Sequence, residues 1–479
     1  MKNKNDSGMM KKNDSGMMKK LGFPIAVLIF LLAWFVPFAG LDELTRRSLG
    51  LMLFTVTLWI TRPIVPSLAA MLFMVLAWLL NLAPFKTAFS GFSQTTTWFI
   101  WAALIIALAV KETRLGLRLA RFLATKTPAS SRGLLGSYYV LLFLMTYLVP
   151  SSTARVAAMA PIGAAQIETL GIPLKSRTGK MLMLSLVSLN AYVGQFLLTG
   201  GSSVVTAWGI LAGLGFQVSW IQWWLYMLVP GLVALTVNFI VNLLIFRPEP
   251  AKAAEGASIK EIARKELAAL GPMSTREKKV SIILGTTLLL WATEPFHGLD
   301  TALVCCLTGI ALCLPFIGVL DAKHAFRNIG WDTVVFVAAA LSIGAVTEAT
   351  GVSDIIAKIV GSVLTIGNSE FTFLFLMLIL GLTARMVLRS GAAIAAVLLA
   401  PTIMLALSLG YNPIFITMFF PLSTMGLFMY QHSSGLIAYD YGTFEEPDFI
   451  MSSLARYVAL MSFIVVAYFV WWPIAGMIM

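Results

Sequence analysis

Three arginines stand inside apolar stretches of this 479-residue sequence: Arg155, Arg385 and Arg389. A guanidinium surrounded by hydrocarbon is costly unless it pairs or faces water, and its planar fork suits a carboxylate. Small polar residues accompany two of them. Ser151, Ser152 and Thr153 precede Arg155, while Ser390 and Gly391 follow Arg389. Of the 22 acids, only Asp440 can be placed near such a polar interruption. Cationic side chains ringed by hydroxyls describe a pocket for an organic anion, since a cation carrier would show the opposite charge balance. Catalytic chemistry finds no support: there is no HExxH and no glycine-flanked nucleophile, and Cys305, Cys306 and Cys313 share one apolar run as reduced packing residues. No enzyme activity, cofactor or metal is expected.

The elements that must position these residues follow from composition. With 59% hydrophobic and 12% charged residues and a mean hydropathy of +0.87, the chain cannot cover a soluble surface, so the excess faces a lipid bilayer. Runs long enough to cross about 30 Å of hydrocarbon are expected at 22–40, 48–61, 64–82, 94–110, 182–208, 223–246, 279–296, 301–317, 331–349, 412–439 and 457–477. The stretches 134–170 and 371–409 are too long for one crossing and are broken at 150–153 and 389–391, which predicts re-entrant hairpins. Irregular backbone at membrane depth is tolerated only inside protein or beside water, so the hairpin tips should line a cavity. Two further breaks follow, at 198–203 with Thr199, Gly200 and Ser202, and at 430–435 with Gln431, His432, Ser433 and Ser434. All four are expected to converge on one anion pocket. His432 could touch substrate, sense pH or satisfy a carbonyl, and either it or Asp440 could serve as a coupling group.

The predicted fold class is an all-α polytopic membrane protein, about 11 transmembrane helices plus two re-entrant hairpins in an inverted repeat. With the N-terminus cytoplasmic and the C-terminus outside, 27 of the 34 Lys and Arg, Arg62 and Arg456 among them, fall on the inner face, four outside and three in the hairpins. The net charge of +12 therefore reports orientation and needs no nucleic acid. Residues 88–113 and 325–350 align without gaps at an offset of 237, and Ser151 pairs with Ser390 and Pro161 with Pro401 at nearly the same offset. Opposite directions through the membrane make this an inverted repeat, the architecture of secondary transporters. The expected organisation is a cytoplasmic basic tail (1–21), a first transmembrane helix (22–43), a first repeat (44–247) with hairpin 134–170, a cytoplasmic linker (248–278), and a second repeat (279–479) with hairpin 371–409. No signal peptide is expected, so the first apolar run is read as an anchor. The octapeptide KNDSGMMK, repeated at 4–11 and 12–19, reads as a floppy tail of no assigned function.

The segment VPSSTARVAAMAPI, 149–162, resembles the Ser-Asn-Thr hairpin signature of the divalent anion/sodium symporter family, in the branch of citrate/succinate and 2-oxoglutarate/malate exchangers. RSGAAIAAVLLAP, 389–401, occupies the place of the second signature, and YQHSSG with YDYGTFEEPD resembles the branch's stretch before the last span. The resemblance implies an elevator-type carrier of di- or tricarboxylates in the bacterial inner membrane, usually a homodimer. Sodium-coupled members hold the cation against both Ser-Asn-Thr loops. Here Ser152 replaces the first Asn, Gly391 the second, and Ala392 a Thr, which removes oxygens a hard cation needs. The departure implies sodium-independent exchange, with sodium- or proton-coupled symport, or a sulfonated carboxylate as cargo, as the alternatives. A static channel fits twice-broken helices less well.

Overall fold

The computed structural model describes residues 4–37, 40–126, 130–148, 152–169, 172–249, 253–367 and 369–476, and no strand occurs among them. Helix α1 (Lys4–Phe35) is followed by α2 (Glu43–Thr61), α3 (Pro66–Leu79), α4 (Thr95–Glu112) and α5 (Leu115–Ala124). The first hairpin is α6 (Ser131–Leu148) with α7 (Ser152–Thr169). Next come α8 (Arg177–Leu184), α9 (Ser202–Gly213) and α10 (Trp220–Phe246). The linker forms α11 (Ala253–Ala269). The sequence of elements then recurs: α12 (Thr275–Ala292), α13 (Thr301–Cys313), α14 (Trp331–Ala349), α15 (Val352–Leu364), the hairpin α16 (Glu370–Val387) with α17 (Gly391–Ser408), then α18 (Pro413–Ser423), α19 (Ser433–Tyr439) and α20 (Glu446–Val466).

Among the described residues, six helices are long and apolar enough to cross a membrane, α4, α10, α14, α16 and α17 among them, and five more are apolar but shorter. Of the eleven expected spans, 48–61 and 279–296 coincide with α2 and α12, which belong to neither group. The run 182–208 is no single span: α8 passes through a π turn at Ser185–Leu189 and stops, and the chain restarts as α9. The last span starts earlier than 457, because Glu445, Glu446, Pro447 and Asp448 supply the acidic first turn and the early proline that open a helix. Arg456, expected at the inner face, consequently lies within α20 and is buried. The N-terminal repeat, read as floppy, continues α1 as helix from Lys4, since extending a helix costs less than nucleating one. Apolar-run reading also passed over α5 and α15, whose apolar residues occupy one face only.

The two sets of elements interlock. In the first set α4 packs on α13 of the second, while α14 packs on α3. Likewise α9 lies on α17, and α19 lies on α7. Each hairpin is therefore backed by the broken helix of the other set. Close approach is built in where Gly91 donates its N–H to the Ser342 hydroxyl at 2.9 Å, and a Cβ there would meet the Ala338 carbonyl at 1.8 Å. The start of α8 is fixed by Glu249, which accepts from the Arg177 and Thr178 N–H groups at 3.1 and 2.9 Å and from the Thr178 hydroxyl at 2.8 Å. Desolvation pushes this carboxyl up, but the donors outweigh it and hold it at about 2.

A cavity between the hairpin tips

A cavity of about 560 Å³ sits where the breaks meet. Ser152 and Thr153 face it from the first hairpin, and Arg385, Arg389, Ser390, Gly391 and Ala392 from the second. The first broken helix adds Gly200, Gly201, Ser202 and Ser203, and the second adds Gln431, His432 and Ser434. Helices α7, α9 and α17 all begin at this cavity, so three N-termini turn partial positive charge towards it.

Arg385 is the most buried of the charged residues that line the cavity. It is 8% exposed, its Nη2 donates to the Gln431 carbonyl at 2.8 Å, and the Gln431 side chain donates back to the Arg385 carbonyl at 2.8 Å. Nε and Nη1 have no hydrogen-bond partner among the described residues, which leaves two donors for a ligand. Arg389 is exposed, with its guanidinium 5.3 Å from the centroid of the Tyr430 ring. Gln431 therefore holds Arg385 in place rather than presenting an amide to the cavity. His432 lines the cavity, but its Nε2 lies 3.0 Å from the Gly426 carbonyl. That same carbonyl accepts from Arg456 Nη2 at 2.6 Å, and Ser453 accepts from it at 2.7 Å. Arg456 and His432 together brace the 424–432 break from behind.

Several expected site residues lie elsewhere. Arg155 is fully buried and does not line the cavity: its Nε donates to Asn190 Oδ1 at 2.5 Å and its Nη2 to the Gly200 carbonyl at 3.2 Å. The cause is local, because Gly194 and Gly200 approach so closely that a Cβ on Gly200 would meet the Gly194 carbonyl at 2.0 Å, wrapping the broken helix around the guanidinium. Thr199 lines a separate void of about 20 Å³ with Tyr147 and Thr287. Asp440 is exposed at the end of α19 and does not line the cavity. Ser151 lies outside the described residues, as does the side chain of Ser433.

Sequence reading missed Arg62, Gln195, Asp332 and Thr424, which also line the cavity. Asp332 belongs to the first turn of α14, and Arg62 to the loop between α2 and α3. Both sit at helix ends, where a polar residue reads as ordinary surface. The one available signal was Arg62 between an apolar run and two prolines, Pro63 and Pro66.

The family description "Sodium:sulfate symporter transmembrane region" matches residues 18–478. A Cupriavidus necator protein described as "Membrane protein" is 30% identical over 339 residues, 67% of this chain and 65% of that relative, so the alignment spans just under two thirds of its length. The spinach chloroplastic dicarboxylate transporter 1 is 25% identical over 400 residues, covering 81% of this chain and 69% of its own. The citrate/succinate antiporter of Escherichia coli K12 is 26% identical over 259 residues, 52% of each. With the family match running almost end to end over an all-helical chain with membrane-length spans, the protein belongs to the divalent anion/sodium symporters.

Proposed function

We propose that the chain is a secondary active carrier of di- or tricarboxylate anions in the bacterial cytoplasmic membrane, working by sodium-independent exchange and an elevator movement of its hairpins. The observation that carries this reading is the charge of the cavity: Arg62, Arg385 and Arg389 face it against the single carboxylate of Asp332. Arginine forks, helix N-termini and serine hydroxyls make an anion site in which carboxylate is the best-matched group. Relatives named as a dicarboxylate transporter and a citrate/succinate antiporter support the substrate class. Two inverted halves, the first over 44–247 and the second over 279–479, account for the recurring order of elements. In the orientation with the N-terminus inside and the C-terminus outside, Arg62 and Asp332 stand at inner helix ends. A homodimer is the assembly that the family resemblance suggests.

Exchange follows from the unpartnered donors of Arg385. An empty site would carry buried positive charge through the membrane, which a bound anion neutralises. The measurement is labelled succinate uptake into proteoliposomes, preloaded with succinate or empty, with and without a sodium gradient. Uptake only into preloaded vesicles is expected; rapid sodium-driven uptake into empty ones would overturn exchange. A second reading, sodium- or proton-coupled symport, draws on Asp332 in the cavity. It predicts uptake into empty vesicles that disappears in Asp332→Asn.

A further inference from the structure

Arg62 belongs to neither hairpin nor either broken helix, yet it lines the same cavity as Arg385 and Arg389. Its backbone is left-handed (φ 51°, ψ 48°) at the end of α2, with its N–H bonded to the Leu58 carbonyl at 2.9 Å. Pro63 follows and Pro66 opens α3, so the loop has few ways to redirect the side chain. The Nε is buried without a hydrogen-bond partner among the described residues. Two guanidinium groups facing one cavity repel each other until an anion lies between them. The second set of elements offers an internal contrast. Helix α2 ends at Thr61 and is followed by Arg62-Pro63, whereas α12 ends at Ala292 and is followed by Thr293-Glu294-Pro295. The Glu294 carboxylate there accepts from the Thr301 hydroxyl at 2.8 Å and does not line the cavity. One loop presents a cation with no hydrogen-bond partner for its Nε among the described residues, and the other presents an anion that is used structurally.

We infer that Arg62 is a further substrate-binding residue, a third cationic station beside those of Arg385 and Arg389, which favours anions with a third carboxylate. This inference rests on the carrier reading above. Arg385 and Arg389 suffice for the two ends of a dicarboxylate, and Arg62 is the remaining guanidinium for a tricarboxylate. The test is exchange kinetics of Arg62→Gln with citrate and with succinate. The KM for citrate is expected to rise about tenfold, that for succinate by less than about threefold, and Arg62→Lys to recover part of the loss. Equal effects on both anions, or none, would overturn the inference. A binding readout separates it from the carrier reading: Arg62→Cys, in a protein whose three native cysteines are replaced by serine, is labelled with a charged maleimide. Protection by citrate stronger than by succinate or sulfate is expected. If the unaltered protein exchanges no carboxylate, the carrier reading fails, whereas a labelling rate that no anion changes rejects the role of Arg62 itself.

Discussion

The two hairpins carry arginines at different places relative to their tips, and the place decides what each arginine does. In the first hairpin Arg155 follows the tip, within the first turn of α7, and is wrapped by Asn190 and Gly200 of its own broken helix. In the second, Arg385 precedes the tip and Arg389 lies in it; one is bracketed by Gln431 with two donors unused, and the other rests over Tyr430. The first arginine locks a helix break and the second pair faces the cavity. Similar residues in repeated elements can therefore divide structure and binding between them.

That division can be broken most severely at Arg155. Replacement by leucine strands the Asn190 and Gly200 acceptors in a buried site, and about 3 kcal/mol of stability should be lost. A fall of several degrees in the melting temperature of detergent-purified protein is expected, with the succinate-induced shift retained in what remains folded. Loss of the shift without loss of stability would place Arg155 in the binding site. Arg385→Gln should do the reverse. About 2 kcal/mol of anion binding is at stake, so KM should rise roughly thirtyfold while the melting temperature of the unliganded protein changes less than in the Arg155 variant. Arg389→Gln, at an exposed side chain with a ring contact, should cost about 1 kcal/mol, seen as a roughly fivefold rise in KM that shrinks at high salt.

The smallest effect tests the anchoring of α8, away from both tips. The Glu249 carboxyl is held at about 2 against an unfolded value near about 4.3, so its stabilisation is complete above the unfolded value and disappears as pH falls through the folded one. Glu249→Gln should lower the melting temperature slightly at pH 6, and the gap to the unaltered protein should narrow between about pH 4.5 and pH 3. A gap that stays constant with pH would remove the carboxylate from this role.

Much of the site was legible because breaks in apolar runs are visible without coordinates. The tips at 150–153 and 389–391, the glycine-serine break and the 430–435 break all announce backbone that needs partners at membrane depth. The direction of a side chain was not legible. Arg155 and Arg385 look alike as arginines in apolar surroundings, and only the Gly194–Gly200 approach and the Gln431 bracket separate them. Arg62 and Asp332 escaped for a different reason: they lie 270 residues apart at unremarkable helix ends, and the folded chain alone makes them neighbours of one cavity. Arg456 was misplaced because hydropathy starts the last helix too late, missing the acidic, proline-bearing turn that begins it.

The sequence by itself determined that this chain lives in a bilayer, that its helices break in four places, and that the charge near those breaks suits an anion. These are properties of composition and local pattern, and hydrocarbon enforces them whatever the packing. Tertiary structure decided which guanidinium is spent on the protein and which is left for a ligand. That choice depends on which carbonyls come within about 3 Å of each side chain, a distance set by interlocked helices that are far apart in the chain.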